Sequence, residues 1–229
     1  MRIRPALLLL TACILLAFAR ECRNSGPKEN ESTFVRYRIS YLENMAGDIP
    51  TRILPKNMDC YYSPDKVVTT IEGFFGQFTL SQIADLRKKE VITLLNFFGN
   101  KVAYQGKRGE LPASVLPIDH MTLTKTSDTL RIAGLLSYRV EVSTPSGNYD
   151  IYYTSDIPVK KPNITTPYSQ IEYPLSDFRV TLSQLKMQLT VSETRTELLS
   201  AEAFVIPEGY KTVSREEMEE IINSLFTKE

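Results

Sequence analysis

Few residues of this 229-residue chain are suited to chemistry. There is one histidine. Any Ser-His-Asp arrangement or histidine-bearing metal site would have to use His120, which stands in Pro117-Ile118-Asp119-His120-Met121 at the entry to a strand. A general base must reach the proton it takes and must itself be oriented by a partner. The ordinary reading of His120 is a surface or edge histidine, and a general base is the less expected one. Of three cysteines, Cys13 and Cys22 lie in the first thirty residues, and only Cys60 falls in the folded part. A disulfide framework is thereby excluded, and Cys60 reads as a small buried residue rather than a nucleophile. Gly73-Phe74-Phe75-Gly76 lacks the Lys-Ser/Thr pair of a phosphate-binding loop. The carboxylates form no Asp-x-Asp-x-Asp calcium loop, and Asp128, Asp150 and Asp156 are expected at turns, as caps or solvated groups. Asn30-Glu31-Ser32 and Asn163-Ile164-Thr165 match the N-glycosylation acceptor pattern. No catalytic residue, metal ligand or cofactor is assigned on these grounds.

The N-terminus states an address. Arg2 and Arg4 precede an apolar run from Ala6 to Ala19 that ends in Ala17-Phe18-Ala19. A basic start, a short apolar stretch and small residues at its end make a secretory signal peptide over 1–19. Residues 20–32 read as a polar tether, and 33–229 as one exported domain. Cleavage after Ala19 competes with acylation of Cys22, which follows the charged pair Arg20-Glu21, and of Cys13, which follows Leu10-Thr11-Ala12 but has a short apolar run before it. An uncleaved anchor is the remaining alternative.

Composition bounds the partners. Lys plus Arg and Asp plus Glu each number 27, and no block of like charge stands out, which disfavours nucleic acid. Twelve Tyr and ten Phe, with no Trp and many β-branched residues, favour strands.

Alternation places those strands. Val35, Tyr37, Ile39 and Tyr41 face one way and Arg36, Arg38 and Ser40 the other, a half-buried strand. Met58–Tyr62 and Lys66–Ile71 flank Ser63-Pro64-Asp65, a hairpin. A second hairpin joins Leu135–Thr144 to the strand bearing Tyr149, Ile151 and Tyr153 through Pro145-Ser146-Gly147-Asn148. Over 80–98 the stripe Leu80, Ile83, Ala84, Val91, Leu94, Leu95 and Phe98 suits a helix, while Glu90–Phe98 also suits a buried strand. Residues 157–174 hold four prolines and are expected to form a loop over the surface. Phe178–Leu199 reads as two strands split near Ser183. Ser214 with Glu217 forms a capping box before the stripe Met218, Ile221, Ile222, Leu225 and Phe226, a terminal helix expected to pack on the sheet.

The stretch Thr126-Ser-Asp-Thr-Leu-Arg-Ile-Ala-Gly134, with Leu-Leu-Ser-Tyr-Arg-Val after it and Tyr149-Asp-Ile-Tyr-Tyr-Thr-Ser-Asp-Ile-Pro158 beyond, resembles the GLPGLI-type secreted bacterial proteins. Leu135 stands where those carry Tyr, and Tyr173-Pro-Leu-Ser-Asp-Phe178 replaces the name-giving Gly-Leu-Pro-Gly-Leu-Ile, marking a divergent relative. The resemblance implies an α+β, mainly β fold: a curved antiparallel sheet, a half-barrel like the lipoprotein carriers LolA and LolB, with the C-terminal helix packed on it. It also favours strands over 90–98. The expected function is that of a non-catalytic periplasmic or lipid-anchored envelope protein, outer-membrane-associated in a bacterium, that binds a lipid or other hydrophobic molecule in the half-barrel. The alternative is an envelope structural or protein-interaction lipoprotein with a filled core, and an uncharacterised hydrolase is third.

Overall fold

A computed structural model describes residues 31–44 and 51–225. The leader, most of the tether and Phe226 lie outside the described residues, as do the candidate attachment sites Cys13 and Cys22. Among the described residues twelve strands form one sheet: β1 (Glu31–Asn44), β2 (Asn57–Tyr62), β3 (Lys66–Gly73), β4 (Phe78–Asp85), β5 (Glu90–Phe97), β6 (Asn100–Gln105), β7 (Thr122–Ile132), β8 (Leu135–Thr144), β9 (Gly147–Thr154), β10 (Leu175–Leu182), β11 (Leu185–Leu198) and β12 (Lys211–Thr212). Among the described residues one α-helix, α1 (Arg215–Ser224), follows. The spatial order β12-β6-β5-β4-β3-β2-β1-β11-β10-β9-β8-β7 shows two meanders joined by β1, which pairs β2 on one side and β11 on the other. Every pairing is antiparallel except the two-residue β12–β6 contact. The sheet curls without closing, which bears out the mainly β half-barrel.

Alternation explains why these residues become strands and which face each side chain takes. Val35, Tyr37 and Ile39 of β1 are buried on the inner face. On the outer face Phe34 is also buried, between the guanidinium groups of Arg195 at 3.6 Å and Arg36 at 5.4 Å from its ring centroid. Those stems and flat cations, with the Tyr61 ring at 5.1 Å, cover the aromatic ring. Over 80–98 the strand pattern prevails. β4 and β5 pair from Phe78↔Phe97 to Asp85↔Glu90, because a helix there would leave Leu80, Ala84, Val91 and Leu95 without the continuous inner face that both strands supply.

The proline-rich segment departs from expectation. Residues 157–174 contain only one short 3-10 turn, yet Ile157, Val159, Tyr168 and Ile171 are buried in the main core cluster. They lie inside the bowl rather than over its outer surface. The loop satisfies its backbone locally, chiefly through Asn163, whose amide donates to Ile171 O at 2.9 Å and Tyr173 O at 2.8 Å. A loop with its own hydrogen bonds and apolar side chains is a better plug than a strand that would need neighbours. The 106–121 connection adds Ala113 and Val115, and α1 adds Met218 and Ile222, to the same core.

The helix forms where the capping signal placed it. Ser214 Oγ accepts from Glu217 N–H at 3.1 Å, while the Glu217 carboxylate turns outward to Lys211 at 3.2 Å. Arg215 fixes α1 to the 106–121 connection through Glu110 at 2.8 Å and Leu111 O at 2.9 Å, and bonds Glu219 at 2.9 Å.

Candidate functional site

Two spaces compete as a site, one inside the bowl and one at its rim. The inner one lies between β2–β4 and β10–β11, with Pro162, Asn163, Thr165 and Thr166 as its roof. Its walls include Met58, Tyr62, Val67, Leu80, Phe178 and Leu189, and its volume is about 50 Å³. A cavity of roughly 150 Å³ is what a benzene-sized guest needs. The inserted loop, the 106–121 connection and the helix have taken the rest of the bowl.

Cys60 lies on β2 between Met58 and Tyr62, which line this cavity, in a hydroxyl cluster invisible to sequence spacing. Tyr37 donates to Leu175 O at 2.8 Å, and Tyr62 shares a 2.8 Å hydrogen bond with Tyr37. With the Tyr37 proton committed to the carbonyl, Tyr62 is the donor between the two rings. Burial pushes the Cys60 thiol up to about 12, which holds it protonated at neutral pH. Burial likewise raises the Tyr37 and Tyr62 phenols well above their ordinary range. These groups are a satisfied core network, and none is poised as a nucleophile or base.

The rim space is different in kind. An open cleft of about 830 Å³ runs between the β4–β5 turn, the 106–121 connection and the inserted loop. Its lining mixes apolar Leu111, Ile118, Met121, Ile164 and Pro167 with polar Thr166, Ser169 and Gln170. Lys89, His120 and Lys161 stand around it, all exposed. Each adopts a left-handed backbone, with φ of 60°, 51° and 52°. Among the described residues neither lysine takes part in an ion pair. The one carboxylate in the lining, Glu110, is already engaged. Burial pulls its pKa up, but the Lys107 N–H at 2.7 Å, Tyr104 at 2.8 Å and Arg215 outweigh that and hold it below the usual range. The cleft therefore presents positive charge beside apolar side chains. His120 is where a surface histidine was expected, but it shares the cleft with two lysines from segments far away in sequence.

The other singled-out residues resolve as structure. Asp156 accepts from Leu136 N–H at 2.8 Å, as a cap should. Asp128 and Asp150 are in strands rather than turns: they flank Arg139 on the outer face at 3.0 and 3.5 Å, with Glu141 as a third partner. A register shift between Lys125 and Thr129 turns Asp128 toward that arginine. Asn163, the second acceptor asparagine, is 4 % exposed with its amide doubly bonded, so the folded domain withholds it from glycosylation.

No protein-family model and no curated relative matches this chain. Among solved structures it is similar to PNGF-II in two crystal forms. The form in space group C2 aligns with a TM-score of 0.53 at 14% identity, over 86% of this chain and 33% of that one. The P21 form gives 0.54 at 14%, over 84% and 33%. The likeness is one of fold, and the chain spans about a third of PNGF-II.

Proposed function

We propose that this is a non-catalytic envelope binding module whose seat is the rim cleft, and that its ligand is an amphiphile with an acidic head and an apolar body. The observation that carries this reading is the contrast between the two spaces. The bowl is filled to about 50 Å³, whereas the rim cleft has about 830 Å³, within the roughly 300–1,000 Å³ typical of ligand sites. Lys89 and Lys161 supply the charge that an acidic head requires, and Ile118, Met121 and Ile164 supply the apolar contact. An envelope location is supported by the signal-like pattern of residues 1–19, by Cys22 as a candidate acylation site and by the resemblance of 126–158 to the GLPGLI type. The share of PNGF-II that is covered supports a module, since the same fold there accounts for a third of a longer chain.

A second reading keeps the acyl chain inside the half-barrel, favoured by the apolar walls of the inner cavity. It requires the 157–174 loop to withdraw. A fluorescent fatty-acid analogue added to delipidated protein separates the two. Lys89→Glu with Lys161→Glu should weaken binding at least tenfold if the cleft is the seat. Val67→Phe, which fills the inner cavity, should do so if the bowl is. Binding unaffected by either change would refute both seats, and no binding at all would leave a protein-interaction module.

A further inference from the structure

Two adjacent hairpin tips carry phenylalanines that the rest of the fold leaves uncovered. Between β3 and β4, Phe74, Phe75 and Gly76 hold φ of 49°, 56° and 83°, three successive left-handed residues closed by a 3.1 Å hydrogen bond from Gln77 N–H to Phe74 O. Between β5 and β6, Phe98 and Gly99 hold 48° and 84°, a two-residue turn in which asparagine is the favoured first residue. Phe98 N–H donates to Gln77 O at 2.8 Å and binds the two tips side by side. Phe75 is 108% exposed and Phe98 65%. Beneath them Phe74 and Phe97 stack edge to face at 6.4 Å, and Phe74 meets Phe78 at 6.2 Å, anchoring the tips to the core. Left-handed backbone disfavours a bulky side chain, the fully exposed Phe75 ring returns nothing to the fold, and Phe98 returns only one edge-to-face contact with Phe97 at 4.8 Å. Turn chemistry accounts for neither residue, packing does not account for Phe75, and the single contact with Phe97 leaves most of Phe98 exposed.

The geometry points to these tips as a wedge that inserts into the interface of a neutral, zwitterionic lipid bilayer. Gly73–Thr79 and Leu95–Asn100 contain no charged residue, so insertion desolvates no ion and no charged partner is matched. Two phenyl rings offer roughly 300–500 Å² at about 150–250 Å² each. A stable protein interface takes about 800 Å² from each partner, so a second copy or a folded partner would find too little here. The rings also project from tips rather than line a groove, a shape that a deformable medium accommodates. The tips lie at the opposite end of the sheet from the entering chain, because β1 starts beside Tyr62 and Ser63 while they adjoin Gly73 and Phe97. Contact with lipid there is independent of the leader and of the rim cleft.

The test uses a chain starting at Arg20, which retains every described residue, with phosphatidylcholine vesicles as the probe. The protein has no tryptophan, so Phe75→Trp introduces a single reporter. Its emission should shift to the blue on adding vesicles and be quenched by brominated phosphatidylcholine. Phe75→Ser with Phe98→Ser should lower vesicle co-sedimentation at least tenfold while leaving the far-ultraviolet spectrum and melting temperature intact. The inference is overturned if the unaltered protein does not sediment with these vesicles, if the serine variant sediments equally well, or if binding appears only with anionic phosphatidylglycerol. It is also overturned if the unaltered protein self-associates in sedimentation velocity and the serine variant does not, since the tips would then join two copies.

Discussion

Replacing Asn163 by alanine should loosen the plug of the bowl. Asn163 is 4 % exposed, and its amide supplies both hydrogen bonds to Ile171 O and Tyr173 O at 2.9 and 2.8 Å. Alanine keeps the backbone but leaves two acceptors in an apolar setting. A buried polar group left without its partner costs about 1–3 kcal/mol, and a carbonyl retaining some access to water falls at the low end. Ile171 is buried and Tyr173 partly so, which places the sum at about 2–4 kcal/mol. For a domain of this size, that is a melting-temperature drop of about 4–16 °C. Urea denaturation gives the free energy directly, and limited proteolysis reports whether cleavage concentrates within 157–174. Asn163→Asp should be worse at neutral pH, because a carboxylate cannot donate and brings charge into the same space. A loss under about 0.5 kcal/mol for the alanine variant, with unchanged proteolysis, would show that water readily replaces the amide and that these two hydrogen bonds do not hold the loop.

Other consequences are open to the same denaturation assays. Ser214→Ala should cost about 1 kcal/mol through the lost cap on Glu217 N–H, and Ile222→Ala about 2–5 kcal/mol through a core cavity, with that ordering as the test. Phe34→Ala should cost about 3–5 kcal/mol despite lying on the outer face, since both guanidinium groups lose the ring they cover, and a surface-like loss below 1 kcal/mol would refute its burial. The Cys60 thiol ionises near 9 in the unfolded chain and at about 12 in the fold, so above pH 9 the unfolded state holds fewer protons. The stabilising contribution is complete below pH 9 and is lost as pH rises toward 12. The urea midpoint should fall across that window, less steeply in Cys60→Ala, and thiol reagents at pH 8 should modify Cys60 only as fast as the domain opens.

Sequence alone determined the local pieces. Two-residue alternation located β1, β2, β3, β8, β9 and β11, because one face of each must be apolar to join a core. Turn chemistry at Ser63-Pro64-Asp65, at Pro145-Ser146 and near Ser183 set which strands pair, and Ser214 with Glu217 set the start of α1. Over 80–98 a helical stripe and a pair of two-sided strands share the same apolar positions, and only the neighbouring strands decide between them. Periodicity also carries no sign for proline-rich chain: 157–174 looks like surface loop until the curved sheet offers an interior that Tyr168 and Ile171 can fill. The same curvature makes the cleft. Lys89, His120 and Lys161 are scattered along a chain with no charged block, and they share a rim because three separate connections end at one mouth of the bowl. Burial along a strand depends on neighbours one and two residues away, whereas a site on a curled sheet depends on which distant connections the curl brings together, and that is decided only by the folded whole.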